Sequence, residues 1–470
     1  MLSETNLILD TDSYKTSHWL QFPPNTTGMF SYLESRGGRD PETVFFGLQY
    51  LLKRYLTQRI TPDMVREADH FLAQHGVPFN RAGWMRIAHE LGGRLPVRIR
   101  AVPEGTVVPT HQALMTVEST DPETFWIVSW LETLLMRVWY PTTVATNSHQ
   151  IKKLIHRYLV ETADDPEGEL PFKLHDFGSR GVSSQESAAI GGAAHLVNFQ
   201  GSDTLVGVRC ANTYYHHPMS AFSIPAAEHS TITAWGREGE TEAYANMLDR
   251  FAQPGAVLAV VSDSYDLWNA LDHIWGETLR QRVISSGATV VLRPDSGHPA
   301  TVVHRALEVL ESRFGSIQNT QGYKVLNHVR LIQGDGVNRD SILEILEVAK
   351  QQGYSATNIA FGMGGGLLQQ LDRDTQRFAY KCSAIAVNGE TREVFKSPAT
   401  DPSKASKRGK LDLTRTGDHF QTLVYLDEPY ANSALHRIYE NGEVLQQWTL
   451  EEIRERTWED TSKASVRQVS

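Results

Sequence analysis

The sequence predicts an α/β protein in which an irregular (β/α) barrel-like domain is joined to a mixed α+β domain built from both chain termini. Four short, nearly continuous apolar runs indicate the barrel, and each is followed by a polar or Gly-rich turn and a helical pattern. Runs that are apolar on both faces are typical of parallel strands buried between helices. They recur every ~30–40 residues, the length expected of a parallel crossover connection. We therefore expect βα units within residues 161–379.

The elements of these units can be followed along the chain. The runs, each written with its turn, are AVLAVVSDSYD (256–266), ATVVLRPDSG (288–297), HVRLIQGDGV (328–337) and NIAFGMGGGLL (358–368). Between the last two runs, a helix is predicted by apolar residues on one face, namely Ile342, Ile345, Leu346 and Ala349. Ser341 and Glu344 suit a capping box at its start, and Gly353 suits its end.

The two ends of the chain lack this rhythm of strand and helix. Residues 1–160 and 380–470 contain Pro-rich connections such as QFPPNTTG and KSPATDP. Neither end carries a tandem repeat or a long low-complexity segment. We expect the two segments to form one discontinuous α+β domain.

Composition argues against several classes of protein. A net charge of −10 does not suit a protein that coats nucleic acid, because such binding needs a broad cationic face. The longest apolar runs are far too short to cross a bilayer, and the amino terminus carries no evident secretory signal. Cys210 and Cys382 indicate neither a disulfide framework nor a zinc site. We expect a cytoplasmic protein with no nucleic-acid or membrane partner.

The turns that follow the predicted strands carry most of the polar chemistry. Because the loops after barrel strands converge on one face, we expect a common mouth formed by Asp263, Arg293, Asp295, Gly334, Asp335 and Gly362 to Gly366. Consecutive glycines let backbone N–H groups approach a phosphate, and an arginine can clamp its oxygens. The carboxylates could accept sugar hydroxyls or hold hydrated Mg²⁺. The local alternatives are a flexible turn, Asx caps and a simple surface salt bridge.

Three further stretches fit the same chemistry. PAAEHSTITAWG places His229 before a helical pattern, and HDFGSRGVSSQE combines Phe177 with Arg180, which suits a flat ring stacked beside a phosphate. KSPATDPSKASKRGK (396–410) is strongly basic and could hold an anion locally. The alternatives are a structural histidine, a core phenylalanine and a solvated loop.

Eleven motifs, in their order and spacing, resemble the nicotinamide phosphoribosyltransferases, a type II phosphoribosyltransferase family. They are DTDSYKTSH, FFGLQYLL, AVPEG, YPTTVATNS, KLHDFGSRGVSSQE, PAAEHSTITAWG, VVSDSYD, LRPDSG, QGDGV, AFGMGGGLLQ and DPSKASKRGKL. The resemblance implies a homodimer with shared active sites that joins nicotinamide to 5-phosphoribosyl 1-diphosphate. Its products would be nicotinamide mononucleotide and diphosphate, in NAD salvage. The fold it implies is an irregular α/β barrel with a second domain assembled from both chain ends.

The resemblance also implies roles for particular residues. The base would stack between Phe177 and Tyr14 of the partner subunit, near Asp12, while Asp203 would accept a hydrogen bond from its carboxamide. The groups that bind phosphate or diphosphate would be Arg180, Arg36, Gly334, Asp335, Gly364, Gly365, Arg373, Lys381, Lys396 and Lys404. The catalytic group would comprise His229, Asp263, Asp295 and Arg293.

Within that catalytic group, Asp295 with Asp263 would organise the ribose and Mg²⁺, directly or through water. Arg293 would hold phosphate oxygens. His229 would be phosphorylated by ATP, the coupled co-substrate, to drive the otherwise uphill synthesis. One departure from the pattern is Ala379, where some relatives have a serine, so one hydrogen bond to phosphate would be missing.

Two alternative functions remain open at this point. A nicotinate phosphoribosyltransferase would share the fold but bind an anionic base. A non-catalytic signalling protein could retain the fold, although it would not need the phosphate, ribose and base residues together. A phosphosugar aldolase or isomerase is disfavoured because no lysine lies in the four turns.

Overall fold

The computed structural model describes residues 6–400 and 405–467. The chain forms two compact units, one comprising Met1–Thr146, Thr213–His217 and Leu371–Ser470 and the other Asn147–Asn212 and Pro218–Gln370. The sequence analysis instead sets boundaries near 160 and 380. The long helix Trp139–Thr162 runs through the first boundary, so no break in the sequence pattern marks it.

Both units contain β-strands. In chain order, the strands of the described residues are β1 Thr26–Ser35, β2 Glu42–Val44, β3 Val97–Ala101, β4 Val107–Pro109, β5 Ala113–Ser119, β6 Leu174–Asp176, β7 Gly201–Ser202, β8 Val257–Val261, β9 Thr289–Arg293, β10 Ser316–Gln318, β11 Lys324–Leu326, β12 Val329–Gln333, β13 Ile359–Met363, β14 Phe378–Val387, β15 Glu390–Glu393, β16 Lys410–Thr416, β17 His419–Tyr425, β18 His436–Glu440 and β19 Glu443–Val444.

The α-helices of the same residues are α1 Leu48–Leu51, α2 Pro62–His75, α3 Arg81–His89, α4 Ile127–Trp130, α5 Glu132–Met136, α6 Trp139–Thr162, α7 Pro166–Glu169, α8 Gln185–His195, α9 Leu205–Tyr214, α10 His229–Thr233, α11 Glu240–Phe251, α12 Leu267–Asn269, α13 Arg280–Ser286, α14 Pro299–Phe314, α15 Arg339–Gln351, α16 Gly365–Leu368 and α17 Leu450–Arg467. None of these helices is long and apolar enough to cross a membrane.

Shorter helical turns complete the described elements. The 3-10 turns are Leu7–Leu9, Ser13–Leu20, Pro122–Thr124, Leu170–Phe172, Ser179–Gly181, Ala356–Asn358 and Arg373–Thr375, and the π-helical turns are Leu52–Leu56 and Ala270–Thr278.

The second unit is built on a parallel sheet in the order β7-β6-β13-β12-β9-β8. The four predicted runs form β8, β9, β12 and β13, which are neighbours in this sheet, so the predicted βα units are confirmed. The segment 222–227 bonds to both edge strands: Ser202 N donates to Phe222 O at 3.1 Å, and Ala227 N donates to Ala259 O at 2.9 Å. The sheet therefore curls into an irregular barrel, as the sequence predicts.

Small and β-branched residues fill the inside of this barrel. Ala259, Val291 and Ile332, from three neighbouring strands, pack into one buried cluster. Phe177 and Ala360 lie against the same cluster and are partly buried. The layer closes the barrel interior below the carboxyl ends of the strands, as is usual for parallel barrels.

The helix predicted after the third run is α15, but its cap differs from the expected one. Asn338 is the N-cap residue, and its side chain accepts hydrogen bonds from the backbone N–H groups of Asp340 and Ser341 at 2.9 and 3.0 Å. Ser341 Oγ accepts from Asn338 N at 2.9 Å in return. The predicted box of Ser341 and Glu344 is therefore wrong, because asparagine three residues earlier makes the reciprocal pair. Gly353, with φ +79°, follows the helix end as predicted.

The first unit contains an antiparallel sheet in the order β15-β14-β1-β5-β3-β18-β19. Strands β1, β3 and β5 come from the amino-terminal segment, and β14, β15, β18 and β19 come from the carboxyl-terminal segment. The long pairing of β1 with β14 places Tyr32 opposite Lys381 and Glu34 opposite Ala379. The two ends of the chain thus share one sheet.

A buried carboxylate in this unit lies between β3 and β4. Glu104 is fully buried, and its Oε1 accepts a hydrogen bond from Gln49 N at 2.6 Å. Burial raises the pKa of Glu104 from 4.5 to about 7, although hydrogen bonds from Gln49 and Gly47 oppose the shift. The folded state therefore favours the protonated form of Glu104.

We predict that Glu104→Gln removes one component of the pH dependence of stability. The stabilising contribution of Glu104 is complete below its ordinary pKa of 4.5 and is lost as pH rises through about 7. The loss in free energy of unfolding is about 3 kcal/mol, at 1.36 kcal/mol per pKa unit. Denaturant unfolding from pH 4 to 8 should show the substituted protein gaining stability relative to wild type at high pH. Glu455→Gln, at an exposed site, is the control, and parallel pH profiles for wild type and Glu104→Gln would contradict the prediction.

Candidate functional site

A cavity of about 1060 Å³ opens at the carboxyl ends of the parallel strands, within the second unit. Ten of the residues predicted from the sequence line it: Phe177, Arg180, Asp203, His229, Arg293, Asp295, Gly334, Asp335, Gly364 and Gly365. They come from loops after five of the six strands and from the start of α10. The topology of a parallel barrel brings these distant segments together, as the sequence analysis expects.

The charged side chains after β8 and β9 form one connected network. Arg293 donates from Nε and Nη2 to the two carboxylate oxygens of Asp295, at 3.0 and 2.8 Å. Asp263 Oδ2 accepts from Asp295 N at 3.1 Å, and Asp263 Oδ1 lies 2.9 Å from His229 Nε2. Asp263 is only 5% exposed, whereas His229 is 46% exposed. The salt bridge between Arg293 and Asp295 that the sequence suggests is present, and both residues line the cavity.

Phe177 supplies an aromatic surface beside this network. Its ring lies directly over Gly362, where an added Cβ would fall 1.9 Å from the ring atom Cε2. The Arg293 guanidinium carbon is 5.7 Å from the ring centroid, which is a cation–π distance. The ring thus lines the cavity while its other contacts lie in the barrel core.

A second polar group in the same cavity centres on Asp203. Asp203 Oδ1 lies 3.0 Å from His175 Nε2 and accepts from Ser223 Oγ at 2.5 Å. Burial would raise the pKa of Asp203, but hydrogen bonds from His175 and Ser223 outweigh it and hold the pKa below its ordinary value. The sequence analysis missed His175 and Ser223. The position of His175 two residues before Phe177, on the same face of a strand, is the signal that could have revealed it.

The Gly-rich turns present backbone rather than side chains to the cavity. Nothing lies within 4 Å of the position that a Cβ would take at Gly365. At Gly334 the same position lies 3.3 Å from Arg293 Nε and 3.4 Å from Asp295 Oδ1. Close backbone approach of this kind, next to a guanidinium, suits the oxygens of an anionic ligand.

The remaining predicted binding residues that the structure describes belong to the first unit. Tyr14 is 60% exposed, and Asp12 Oδ2 accepts from Thr133 Oγ1 at 2.6 Å. Arg373 forms an ion pair with Asp374 at 3.1 Å. Lys404 lies outside the described residues.

Two cations of the first unit, Arg36 and Lys396, act electrostatically on a third, Lys381. Arg36 donates to Glu34 at 2.8 Å. Burial lowers the pKa of Lys381, and the charges of Arg36 and Lys396 lower it further, against the opposing effect of Glu132. A cluster of cations around a half-buried lysine suits an anion.

Two family models match the chain. The model described as the nicotinate phosphoribosyltransferase (NAPRTase) family matches residues 172–443. The model described as the nicotinamide phosphoribosyltransferase N-terminal domain matches residues 6–99. Together they cover most of both units.

Curated relatives match over nearly the full chain. A protein from Xanthomonas campestris pv. campestris named nicotinamide phosphoribosyltransferase is 58% identical over 457 residues, which cover 96% of this chain and 97% of the relative. A protein of the same name from Acinetobacter baylyi is 32% identical over 489 residues, covering 95% of each.

Solved structures share the fold at low sequence identity. The crystal structure of nicotinate-nucleotide pyrophosphorylase from Pyrococcus furiosus has a TM-score of 0.63 at 16% identity, covering 98% of this chain and 97% of that one. The crystal structure of human nicotinic acid phosphoribosyltransferase has a TM-score of 0.56 at 16% identity, covering 96% and 93%. These similarities confirm the predicted fold class.

We predict that Gly362→Ala is costly only because of the Phe177 ring. The added methyl overlaps the ring, and overpacking of this kind costs about 1–3 kcal/mol of unfolding free energy. In a Phe177→Ala background the same substitution should cost less than about 0.5 kcal/mol. Urea unfolding of the four proteins measures both values. Gly181→Ala, whose methyl would meet its nearest neighbour at 3.6 Å, is the control, and an equal cost in both backgrounds would exclude the proposed overlap.

Proposed function

Because this chain belongs to the nicotinamide phosphoribosyltransferases, within the nicotinate phosphoribosyltransferase family, we propose that it joins nicotinamide to 5-phosphoribosyl 1-diphosphate. The products are nicotinamide mononucleotide and diphosphate, and the reaction serves NAD salvage. The observation that carries this proposal is the 58% identity, over nearly the full length, to a relative named nicotinamide phosphoribosyltransferase. The cavity supports it, because one wall offers an aromatic ring and another offers cations and open backbone.

The phosphoribosyl part of the substrate fits the side of the cavity that carries the glycines. The backbone at Gly334, Gly364 and Gly365, together with Arg180, suits the 5′-phosphate. The Asp295 carboxylate, with Asp263 hydrogen-bonded behind it, suits the ribose hydroxyls. Arg293 suits an oxygen of the diphosphate, to which its guanidinium can turn from Asp295.

The base fits against Phe177, with Asp203 at its carboxamide. Oδ1 of Asp203 already takes two hydrogen bonds, and among the described residues nothing donates to Oδ2. An amide N–H of nicotinamide supplies the donor that this oxygen lacks. The carboxylate of nicotinate cannot supply one, and it carries a like charge.

The chemistry needs positioning more than proton transfer. The pyridine nitrogen of nicotinamide is uncharged and nucleophilic, so it needs no strong base. It attacks C1 of the ribose as the bond from C1 to the diphosphate oxygen breaks, and positive charge develops on the sugar. Phe177 would align the ring, and the carboxylates of Asp295 and Asp263 would stabilise the positive charge that develops.

The carboxylates of the site fit a magnesium ion that the substrate brings. No group of three or more His, Cys, Asp or Glu residues that could hold a metal occurs in the described part of the chain, so a closed protein cage is absent there. Mg²⁺ usually takes one or two carboxylates and completes its shell with water and phosphate oxygens. Asp295, with Asp263 behind it, would hold the ion, which stabilises negative charge on the leaving diphosphate when bound.

We also propose that two chains form a homodimer with shared active sites. The exposed Tyr14 ring would stack on the base from the partner subunit, with Asp12 beside it. The cation cluster of Arg36, Lys381 and Lys396 would meet the diphosphate, joined by Arg373 and Lys404. Burial and the charges of Arg36 and Lys396 lower the pKa of Lys381. A bound anion would oppose both effects by stabilising the charged lysine.

ATP is proposed to act through His229. Nε2 of His229 bonds to Asp263 at 2.9 Å, whereas Nδ1 lies 4.0 Å from Asp295 Oδ2, beyond hydrogen-bond distance, so Nδ1 would take the γ-phosphoryl group. The bond from phosphorus to ADP breaks as the bond to nitrogen forms, and water later releases inorganic phosphate. The carboxylate of Asp263 orients the ring for this transfer. This use of ATP fits a cytoplasmic enzyme.

We predict that the purified protein releases diphosphate with nicotinamide and that ATP raises the rate. His229→Ala should abolish the stimulation by ATP while a slower, ATP-independent transferase remains, because the groups that bind base and phosphoribose are intact. Mononucleotide and diphosphate are measured with nicotinamide or nicotinate, with and without ATP. Activity with nicotinate alone would make this a nicotinate enzyme, and no activity with either base would favour the non-catalytic alternative.

We predict that Asp203→Ser reduces the preference for nicotinamide over nicotinate, because kcat/KM falls for nicotinamide and rises for nicotinate. Two like charges ~4 Å apart cost about 4 kcal/mol at an effective dielectric near 20, and this repulsion of nicotinate is removed. The lost acceptor should lower kcat/KM for nicotinamide by ~10–100-fold, the effect of about 1–3 kcal/mol. The gain for nicotinate should exceed the loss for nicotinamide. Measurement of kcat/KM for both bases decides the matter, and an unchanged ratio would falsify the role of Asp203.

A further inference from the structure

His175 makes a contact that the proposed reaction does not yet use. It is the middle residue of β6, and its side chain is only 15% exposed. Nε2 lies 3.0 Å from Asp203 Oδ1, and the ring centroid is 5.2 Å from that of Phe177. One residue thus touches both groups that are proposed to hold the base.

The His175 ring is held in place by the neighbouring strand. A Cβ added at Gly201 would fall 2.7 Å from His175 Nδ1. Only glycine at position 201 therefore lets the backbone of β7 approach the imidazole this closely. The contact leaves the ring little freedom to turn, and the Nε2 edge points to Asp203. The geometry is that of a fixed donor rather than a mobile surface histidine.

Asp203 is fixed in turn by the two donors on a single oxygen. His175 and Ser223 both bond to Oδ1, at 3.0 and 2.5 Å. A carboxylate without such donors rotates freely and offers either oxygen to solvent or ligand. With Oδ1 occupied from two directions, only Oδ2 remains for a third group.

We propose that His175 is a positioning residue that determines the choice of base: with Ser223 it locks the Asp203 carboxylate so that Oδ2 alone meets the carboxamide N–H. This inference rests on the proposed function, since it names how the same site selects its base. The two donors also stabilise the ionised carboxylate, which accepts from an amide and repels the carboxylate of nicotinate. The charge of Arg293 also acts on Asp203 and favours the same ionised state.

A double-mutant cycle tests the inference. His175→Leu removes the N–H donor and replaces the imidazole with an apolar side chain of similar length. KM for nicotinamide should rise about tenfold with kcat changed less than about twofold, because a ground-state contact is lost. In an Asp203→Ser background the same substitution should change KM less than about twofold, since the oxygen that it positions is gone. His175→Gln, which keeps an N–H donor, should recover most of the affinity. KM for 5-phosphoribosyl 1-diphosphate should stay constant.

The outcomes separate this inference from the function on which it rests. Failure of the wild-type protein to convert nicotinamide would reject the proposed function, and with it this role. Normal wild-type activity with equal effects of His175→Leu in both backgrounds would overturn the inference alone, as would a fall in kcat at constant KM. Should His175→Leu not fold, Ser223→Ala replaces it in the cycle. Ser223 is exposed and donates to the same oxygen, so coupling to Asp203 is expected and additivity would overturn the proposal.

Discussion

The bidentate ion pair of Arg293 with Asp295 is the interaction on which the cavity depends. A partly buried guanidinium next to an aromatic ring needs a carboxylate partner, and Asp295 supplies both oxygens. The Asp295 backbone N–H then holds Asp263, and Asp263 holds His229. One pair at the end of β9 therefore orders Asp263 and His229, and under the proposed function Arg293 would exchange this protein anion for a substrate anion.

The barrel makes this arrangement possible by bringing strand ends together and by keeping some positions small. Gly362 leaves room for the Phe177 ring, and Gly201 leaves room for the His175 ring. The irregular segment 222–227 closes the sheet and also supplies Ser223, which donates to Asp203. The same segment thus closes the barrel and supplies a hydrogen-bond donor to Asp203.

The charged groups of the cavity form two hydrogen-bonded sets. In one set, Arg293 makes a bidentate ion pair with Asp295. In the other, hydrogen bonds from His175 and Ser223 outweigh the effect of burial and hold the pKa of Asp203 below its ordinary value. Under the proposed function, the first set would meet the phosphorylated sugar and the second the uncharged base, so the two substrates would not compete for the same groups.

The sequence by itself determined four of the six strands of the parallel sheet, the turns that follow them and ten residues of the cavity. Burial on both faces of a parallel strand leaves a continuous apolar run, and the loops that follow such runs share one end of the sheet. The sequence pattern did not reveal the burial of Glu104, because no local pattern marks a buried carboxylate. It also gave the wrong N-cap for α15, because Asn338 and Ser341 are both short polar residues near the helix start.

Only the tertiary structure decided the pairing of His175 with Asp203, which lie 28 residues apart on different segments. The sequence around a strand residue such as His175 does not show whether its side chain faces solvent or a carboxylate. The partner is set by the register of β6 against β7 and by the path of segment 222–227. Both follow from packing across the whole barrel rather than from any local pattern, which is why the sequence could name Asp203 but not the residues that orient it.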